Sequence, residues 1–507
     1  MGETLSQLFV ARATATPEAP FLAPGPGEGM SYAEAAAAAA RAANALRSLG
    51  VEPGDRVAAQ IPKCRDALTL YLGAMRAGAV YVPLNTSYTP PELAYFLGDA
   101  APRLVVCAPD DRAAVEKVAG EARVGRVETL GRTGEGSLQA RSGAAEADFG
   151  DAARQAGDVA AILYTSGTTG RSKGAMLTHE NLVSNARTLA EIWRFSAADR
   201  LLHALPIHHT HGLFTATTTT IASGASMILL ERFDVDEVID ALPRASVFMG
   251  VPTYYIRLLQ SRRLDRAATR SMRLFISGSA PLSPDTHAQF AARTGHVVLE
   301  RYGMTETNMN TSNPYDGERR AGSVGPPLPG VDLRIADREI GTPLGTGEVG
   351  VIEVRGPNVF AGYWKQEELT AKEFRDDGFF VTGDLGRMDE EGYVWIEGRE
   401  KDLIISGGLN VYPAEVEAAI DALQGVRESA VIGVPHPDFG EGVTAVVARD
   451  QGAEIGEGAV AEALGTRLAK YKQPKRIFFV EALPRNAMGK VEKTMLRQIY
   501  RDAYVND

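Results

Sequence analysis

Tyr164-Thr165-Ser166-Gly167-Thr168-Thr169-Gly170-Arg171-Ser172-Lys173-Gly174 is the stretch from which the rest of the chain can be read. Before it stands an apolar run, residues 159–163, of the length expected of a buried strand. Behind it Ala175-Met176-Leu177 offers a second short strand ahead of the polar Thr178-His179-Glu180-Asn181. The spacing therefore predicts a loop that joins two strands. Its three glycines let backbone N–H groups turn toward an anion, while Thr165, Ser166, Thr168, Thr169 and Ser172 add hydroxyl donors and Lys173 a charge. That combination suits a polyphosphate. It is not a Walker loop, because Gly167 to Lys173 lacks the spacing G-x-x-x-x-G-K-[ST] and no helix opens directly behind the lysine. A solvent-exposed Gly/Ser/Thr linker has the same composition, so the loop alone leaves both readings open.

The 507 residues exceed what one hydrophobic core serves, and at least two domains of roughly 100–200 residues are expected. Apolar residues make up 45% and charged ones 23%, and no apolar run approaches the ~18 residues that span a bilayer, so the composition is that of a soluble globular protein. Two cysteines, Cys64 and Cys107, stand in neither a metal-like nor a redox-like spacing, which predicts a reducing, cytoplasmic setting without disulfides. A net charge of −11 argues against nucleic acid or an anionic membrane as the partner of the whole chain. Local charge differs: residues 461–507 carry ten Lys/Arg against five acids, which suggests an anion site in a basic C-terminal piece.

Residues 31–50 contain an alanine run, yet Ser31-Tyr32-Ala33-Glu34 is a capping box and Gly50 a stop signal, so the segment is predicted helical. Helix-like stretches over 66–76, 91–98, 235–242 and 283–294 alternate with short apolar strands over 57–60, 104–107, 246–249 and 274–276. Such alternation predicts an α/β fold of layered, largely parallel sheets. After Gly325-Pro326-Pro327 the texture becomes short strands and turns, with a hairpin over 386–399, and reads as a β-barrel-like region. A smaller α+β pattern follows. The expected division is a domain of residues 1–398 and a small C-terminal domain of residues 399–507, with the boundary at Arg399 to Lys401; no internal repeat is evident.

Three further segments carry chemistry. Leu299-Glu300-Arg301-Tyr302-Gly303-Met304-Thr305-Glu306 is expected to follow a strand over 297–299, placing an aromatic face, a hydroxyl and a carboxylate at a strand terminus, where α/β sheets bind ligands. Ile276-Ser277-Gly278-Ser279-Ala280-Pro281-Leu282 ends another strand in small residues that let a flat ring approach the backbone. Thr382-Gly383-Asp384 reads as a tight turn with an isolated carboxylate, suited to a ribose diol.

Together these segments resemble the adenylate-forming superfamily of acyl-CoA synthetases, peptide-synthetase adenylation domains and firefly luciferase. The resemblance runs from Ala77-Gly78-Ala79-Val80-Tyr81-Val82-Pro83-Leu84 to Pro484-Arg485-Asn486-Ala487-Met488-Gly489-Lys490. It implies ATP, Mg²⁺ and coenzyme A as the small molecules handled. Thr165, Ser166, Gly167, Thr168, Thr169, Gly170 and Lys173 would grip the β- and γ-phosphates, and Ser279 and Ala280 would sandwich adenine with Tyr302. Thr305 and Glu306 would address the α-phosphate and Mg²⁺, Asp384 and Arg399 the ribose hydroxyls, and Lys490 the reacting carboxylate and α-phosphate. Lys401 matches the family's hinge position, and Gly407 and Gly408 suit the wall of a pantetheine channel that a side chain would block. Negative charge gathers on the phosphorus as pyrophosphate leaves, so a lysine and Mg²⁺ placed there stabilise the transition state.

In this family the acyl pocket is lined by the segment matching Leu205-Pro206-Ile207-His208-His209-Thr210-His211-Gly212 and by the residue before the adenine-stacking tyrosine. Ser277 and Met304 fall in the same lining, and His209 matches the gate. Where relatives commonly carry glycine this chain has Arg301, and where they often carry an aromatic residue it has His211. A guanidinium inside an acyl pocket is an expensive charge unless the substrate brings its own anion. The implied substrate has a second carboxylate, which Arg301 holds in bidentate fashion while His211 adds a donor. Other readings stand beside this one: Arg301 paired with Glu300 or a surface neighbour, the histidines as core or lid residues, or the histidines as a zinc cluster. The strings over 300–314 and 208–213 resemble the malonyl-CoA synthetases of bacteria, which join malonate or methylmalonate to coenzyme A. Two rival functions remain at this level: a stand-alone adenylation enzyme that loads a small acid onto a carrier protein, and a catalytically idle nucleotide-binding protein.

Overall fold

The fold is that of a computed structural model, which describes residues 2–24, 29–165, 172–406, 409–465, 467–468, 470–486 and 489–504. The described chain forms two compact units. One comprises Met1–Leu282, Thr286–Leu333 and Val354–Phe380; the other comprises Ser283–Asp285, Arg334–Glu353 and Val381–Asp507.

The first unit holds two mainly parallel sheets, as the alternating helix and strand signals predict. Among the described residues one has seven strands, in the spatial order Gly362–Tyr363, Lys173–Thr178, Val159–Thr165, Val80–Pro83, Arg56–Gln60, Leu104–Cys107 and Val127–Thr129. Val159–Thr165 and Lys173–Thr178 pair antiparallel with Thr165 opposite Lys173, so the opening loop does join two strands. The other has eight strands: Asn308–Ser312, Leu299–Met304, Leu274–Ser277, Val247–Gly250, Arg200–His203, Ser226–Leu229, Pro20–Leu22 and Met30–Ser31. Its central strands are apolar on both faces: Leu202, Ile228, Phe248 and Phe275 pack against Tyr255, Leu258 and Phe290 of covering helices on one, and Leu201, Met227, Val247 and Leu274 are buried on the other.

The alanine run has a packing reason. Tyr32–Ser48 is a helix capped by the reciprocal bonds of Ser31 and Glu34, and it lies against the helix Arg65–Arg76 so closely that a Cβ at Gly73 would stand 2.7 Å from the Cβ of Ala42. Small side chains on both helices allow that approach. Cys64 precedes the second helix and Cys107 lies in the core; both are free thiols, and burial pushes them up to about 11 and about 12 respectively.

Two local expectations need correction. The strand expected over 297–299 begins instead at Leu299 and runs to Met304, so Arg301 and Tyr302 sit within a ladder rather than beyond its end. Asp384 is not in a tight turn: it belongs to the strand Phe380–Met388, which forms an antiparallel hairpin with Val394–Arg399. The second unit also contains the sheet Leu409–Val411, Ile404–Ser406, Gly440–Arg449 and Val426–His436, with Arg476–Val480 parallel to Gly440–Arg449. Val416 and Ile420 of the helix Pro413–Asp421 close its core over Val431, Val443 and Val447.

Candidate active site

Four parallel strands of the eight-stranded sheet, Arg200–His203, Val247–Gly250, Leu274–Ser277 and Leu299–Met304, place their carboxyl ends side by side. Ser277 is in register with Glu300, which sets Ser277, Gly278 and Ser279 beside Arg301 and Tyr302. Arg301 is 2% exposed, and its Nε and Nη2 meet no hydrogen-bond partner among the described residues. The guanidinium lies over Gly278, where an added Cβ would be 2.5 Å from Cζ, so glycine is what lets Arg301 enter. Burial lowers the guanidinium to about 9, with nearby Tyr255 opposing the shift.

Glu300 does not neutralise it. Strand alternation sends that carboxylate to the other face, where Oε1 accepts from Gly322 N at 3.1 Å, and burial raises it to about 7. Among the described residues Arg301 has no acidic partner, so the alternative pairing with Glu300 or a surface neighbour is overturned.

His211 begins a π-helix, His211–Thr218, an uncommon conformation that recurs at functional sites. Its Nδ1 lies 3.3 Å from Ser279 Oγ, and Nε2 has no partner among the described residues. Burial, then Arg301, His203 and His209, hold His211 well below its ordinary range, so the imidazole is neutral. Ser277 is fully buried, and its Oγ is likewise unpaired among the described residues. His209 packs edge-on against His208 at 4.2 Å between centroids. No group of three His, Cys, Asp or Glu among the described residues could hold a metal ion, which removes the zinc reading of the histidines.

A second group assembles around Glu306. The chain turns back between Met304 and Asn308 so tightly that a Cβ at Gly303 would be 1.8 Å from Asn308 O, and the turn carries Thr305 and Glu306. Glu306 Oε1 accepts from Tyr363 Oη at 3.0 Å and from Thr165 Oγ1 at 3.4 Å. Lys173 is buried with Nζ 3.5 Å from Glu373 Oε1 and 4.8 Å above the Tyr363 ring. Thr165, Lys173 and Glu306 are thus brought together, while Ser166, Gly167, Thr168, Thr169 and Gly170 lie outside the described residues. One carboxylate suits Mg²⁺, which takes one or two protein ligands and completes its shell with phosphate oxygens and water.

In the second unit Asp384 is buried and 2.6 Å from Arg399 Nε. Lys401 occupies a short 3₁₀ turn, Glu400–Asp402, and Asp402 pairs with Arg497 at 2.6 Å. Lys490 is exposed on a narrow loop closed by Asn486, whose N donates to Lys490 O and whose Oδ1 accepts from Lys490 N. Arg485 spans that loop to Gly489 O and pairs with Glu428. Gly407 and Gly408 lie outside the described residues.

Sequence reasoning missed Tyr363, Glu373 and Lys63. Lys63 is buried, with Nζ 2.9 Å from His203 Nδ1, 2.7 Å from His203 O and 2.8 Å from Leu205 O. Its only sequence signal was a cation just behind a strand in an otherwise uncharged run, Val57 to Cys64.

Two mainly parallel sheets with a cluster of buried polar side chains at the strand ends, and a small α+β unit bearing an exposed lysine, define an adenylate-forming enzyme. The chain belongs to the AMP-binding enzyme family: the AMP-binding enzyme model matches residues 9–364 and that of the AMP-binding enzyme C-terminal domain matches residues 415–490. The solved structure of ATP-bound MatB from Rhodopseudomonas palustris is 57% identical, with 99% of this chain and 100% of that chain covered and a TM-score of 0.96. A feruloyl-CoA synthase of an Amycolatopsis species is 38% identical over 96% of this chain and 97% of its own. A malonate–CoA ligase of Arabidopsis thaliana is 37% identical over 84% of this chain and 75% of its own. No helix among the described residues is long and apolar enough to cross a membrane.

Proposed function

We propose that the chain joins malonate to coenzyme A, using ATP and passing through malonyl-adenylate, with release of pyrophosphate and AMP. Similarity to the two curated ligases is nearly equal, so overall identity does not choose the acid. The observation that carries the choice is Arg301: a buried guanidinium with two nitrogens unpaired, and no acidic partner, among the described residues. Such a site is satisfied by an acid that brings its own anion, and it penalises a monocarboxylate that would leave the charge unpaired. Nε2 of His211 and Oγ of Ser277, unpaired among the described residues, supply further polar contacts for malonate or methylmalonate, and on this reading His209 and Met304 complete the lining.

Within this reading the first carboxylate attacks the α-phosphorus. Thr165, Lys173 and residues 166–170 hold the β- and γ-phosphates, Ser279, Ala280 and Tyr302 hold adenine, and Asp384 and Arg399 take the ribose hydroxyls. Thr305 orients the α-phosphate. Glu306 would hold Mg²⁺, which supplies charge neutralisation at the phosphates. Lys490 donates to the reacting carboxylate and α-phosphate oxygens, stabilising the charge that develops there. Residues 399–507 then turn about Lys401, withdrawing Lys490 and presenting Gly407 and Gly408 to the pantetheine thiol. The two free cysteines, Cys64 and Cys107, fit action in the reducing cytoplasm. The test is pyrophosphate release with ATP and malonate, with and without coenzyme A, against acetate and butyrate. Malonate-dependent release and conversion to malonyl-CoA are expected; equal or better use of butyrate would defeat the substrate assignment.

A further inference from the structure

Lys63 follows the strand Arg56–Gln60 of one sheet, and His203 ends a strand of the other, 140 residues away, so their contact ties the two sheets together directly behind the acyl segment. Nζ lies 2.7–2.9 Å from three polar atoms, Nδ1 and O of His203 and O of Leu205, while burial holds the amine well below its ordinary range. Gly212 O can only accept, so His203 Nε2 at 3.0 Å carries the ring proton; burial keeps the ring neutral, which leaves Nδ1 to accept from Lys63. Thr217 Oγ1 donates to the same carbonyl at 3.0 Å, from within the π-helix. Gly212 has no slack on its other side: a Cβ there would stand 2.0 Å from Pro206 O. The carbonyl beside His211 is therefore pinned from both directions. His211 is the residue whose Nδ1 meets Ser279 and whose ring is kept neutral by burial and then by Arg301.

We propose that Lys63, acting through His203, is a positioning residue for the dicarboxylate pocket: it fixes Gly212, and with it His211, so that His211 and Arg301 converge on a second anionic group. The inference rests on the reading of Arg301 as the partner of the distal carboxylate. Lys63 itself touches no substrate. It sets specificity by fixing a tautomer and a carbonyl, and without it His203 Nδ1 and two buried carbonyls lose their donor.

Two variants of the full-length enzyme test this. Lys63→Met removes the donor alone. The double variant Lys63→Met/His203→Leu removes both polar side chains together, so that no ring nitrogen is orphaned, and it keeps the test available if the single variant folds poorly. The readouts are kcat/KM for malonate and for butyrate, KM for ATP, and the thermal midpoint. The expected result is a fall of about tenfold or more in the malonate-to-butyrate ratio, carried by the malonate KM, with the ATP KM within about twofold of wild type. An unchanged ratio in whichever variants fold overturns the proposal, as does a parallel loss for both acids and ATP, which marks a purely structural role. Failure of the substrate reading shows elsewhere, as a wild-type enzyme that prefers butyrate.

Discussion

Arg301→Gly would open the space that the guanidinium fills over Gly278 and remove a charge that meets no acid among the described residues. For malonate the loss should be on the order of 2–5 kcal/mol in kcat/KM, mostly as raised KM, since the contact forms before chemistry and persists through it. Butyrate and propionate should gain relative to malonate. His211→Ala should move the preference the same way by less, because a neutral imidazole donor is worth less than a full charge. Steady-state kinetics with malonate, methylmalonate, acetate and butyrate decide it: an unaltered malonate-over-butyrate preference in Arg301→Gly would sink the role given to this residue. Arg301 could be picked out from the sequence because its type is discordant with its place in the motif. Lys63 could not, since its meaning lies in partners 140 and 142 positions away.

The strand Leu299–Met304 separates two charges by its pleat, Arg301 toward Gly278 and Glu300 toward Gly322. Glu300 titrates near 4.5 when unfolded and at about 7 when folded, so between these values the native state keeps a proton that the unfolded chain has released. Stability should therefore fall as pH rises from 4.5 to about 7 and level off above it. Glu300→Gln, which keeps an acceptor for Gly322 N, should flatten that slope and raise stability at pH 8 by about 1–3 kcal/mol. Urea unfolding of both proteins across this range is the check, and parallel pH curves would count against the assignment. At this scale the sequence was readable where a period or a cap is local: the capping box at Ser31, the apolar runs of parallel strands, the loop bracketed by Thr165 and Lys173. It failed where hydrogen-bond register decides. Val297 and Val298 continue an apolar run, yet pairing starts only at Leu299. Thr382-Gly383-Asp384 has turn composition, but Gly383, at φ +68°, and a register shift after Leu385 accommodate those residues within a strand. The π-helix has no composition of its own, because Thr-rich apolar residues serve an α-helix equally.

At the scale of the whole molecule, the proposed mechanism gives roles to residues of each unit, and on that reading mutations should sort by half-reaction. Lys490→Ala should lower adenylation by about 10²–10³ while leaving the fold and ATP binding in place. Malonate-dependent pyrophosphate release at the wild-type rate would exclude Lys490 from that step. Lys401→Pro should still build malonyl-adenylate yet pass it slowly to the thiol, because a fixed φ at that short turn restricts rotation there. Quenched-flow measurement of the two steps separates these cases, and equal losses in both would remove the hinge role. The two-unit architecture was legible in the change of texture along the chain, whereas the interleaving of residues 334–353 with residues 381–507 was not, since it depends on strand pairings distant in sequence. One consequence reaches the bench. A thiol must ionise before it attacks a disulfide reagent, and Cys64 and Cys107 ionise only near 11 and 12. In neutral buffer the native protein should release almost no chromophore from an aromatic disulfide over minutes, while free coenzyme A reacts at once. Consumption of coenzyme A can therefore be followed colorimetrically in the presence of the enzyme, with denaturation unmasking two equivalents of protein thiol as the internal standard.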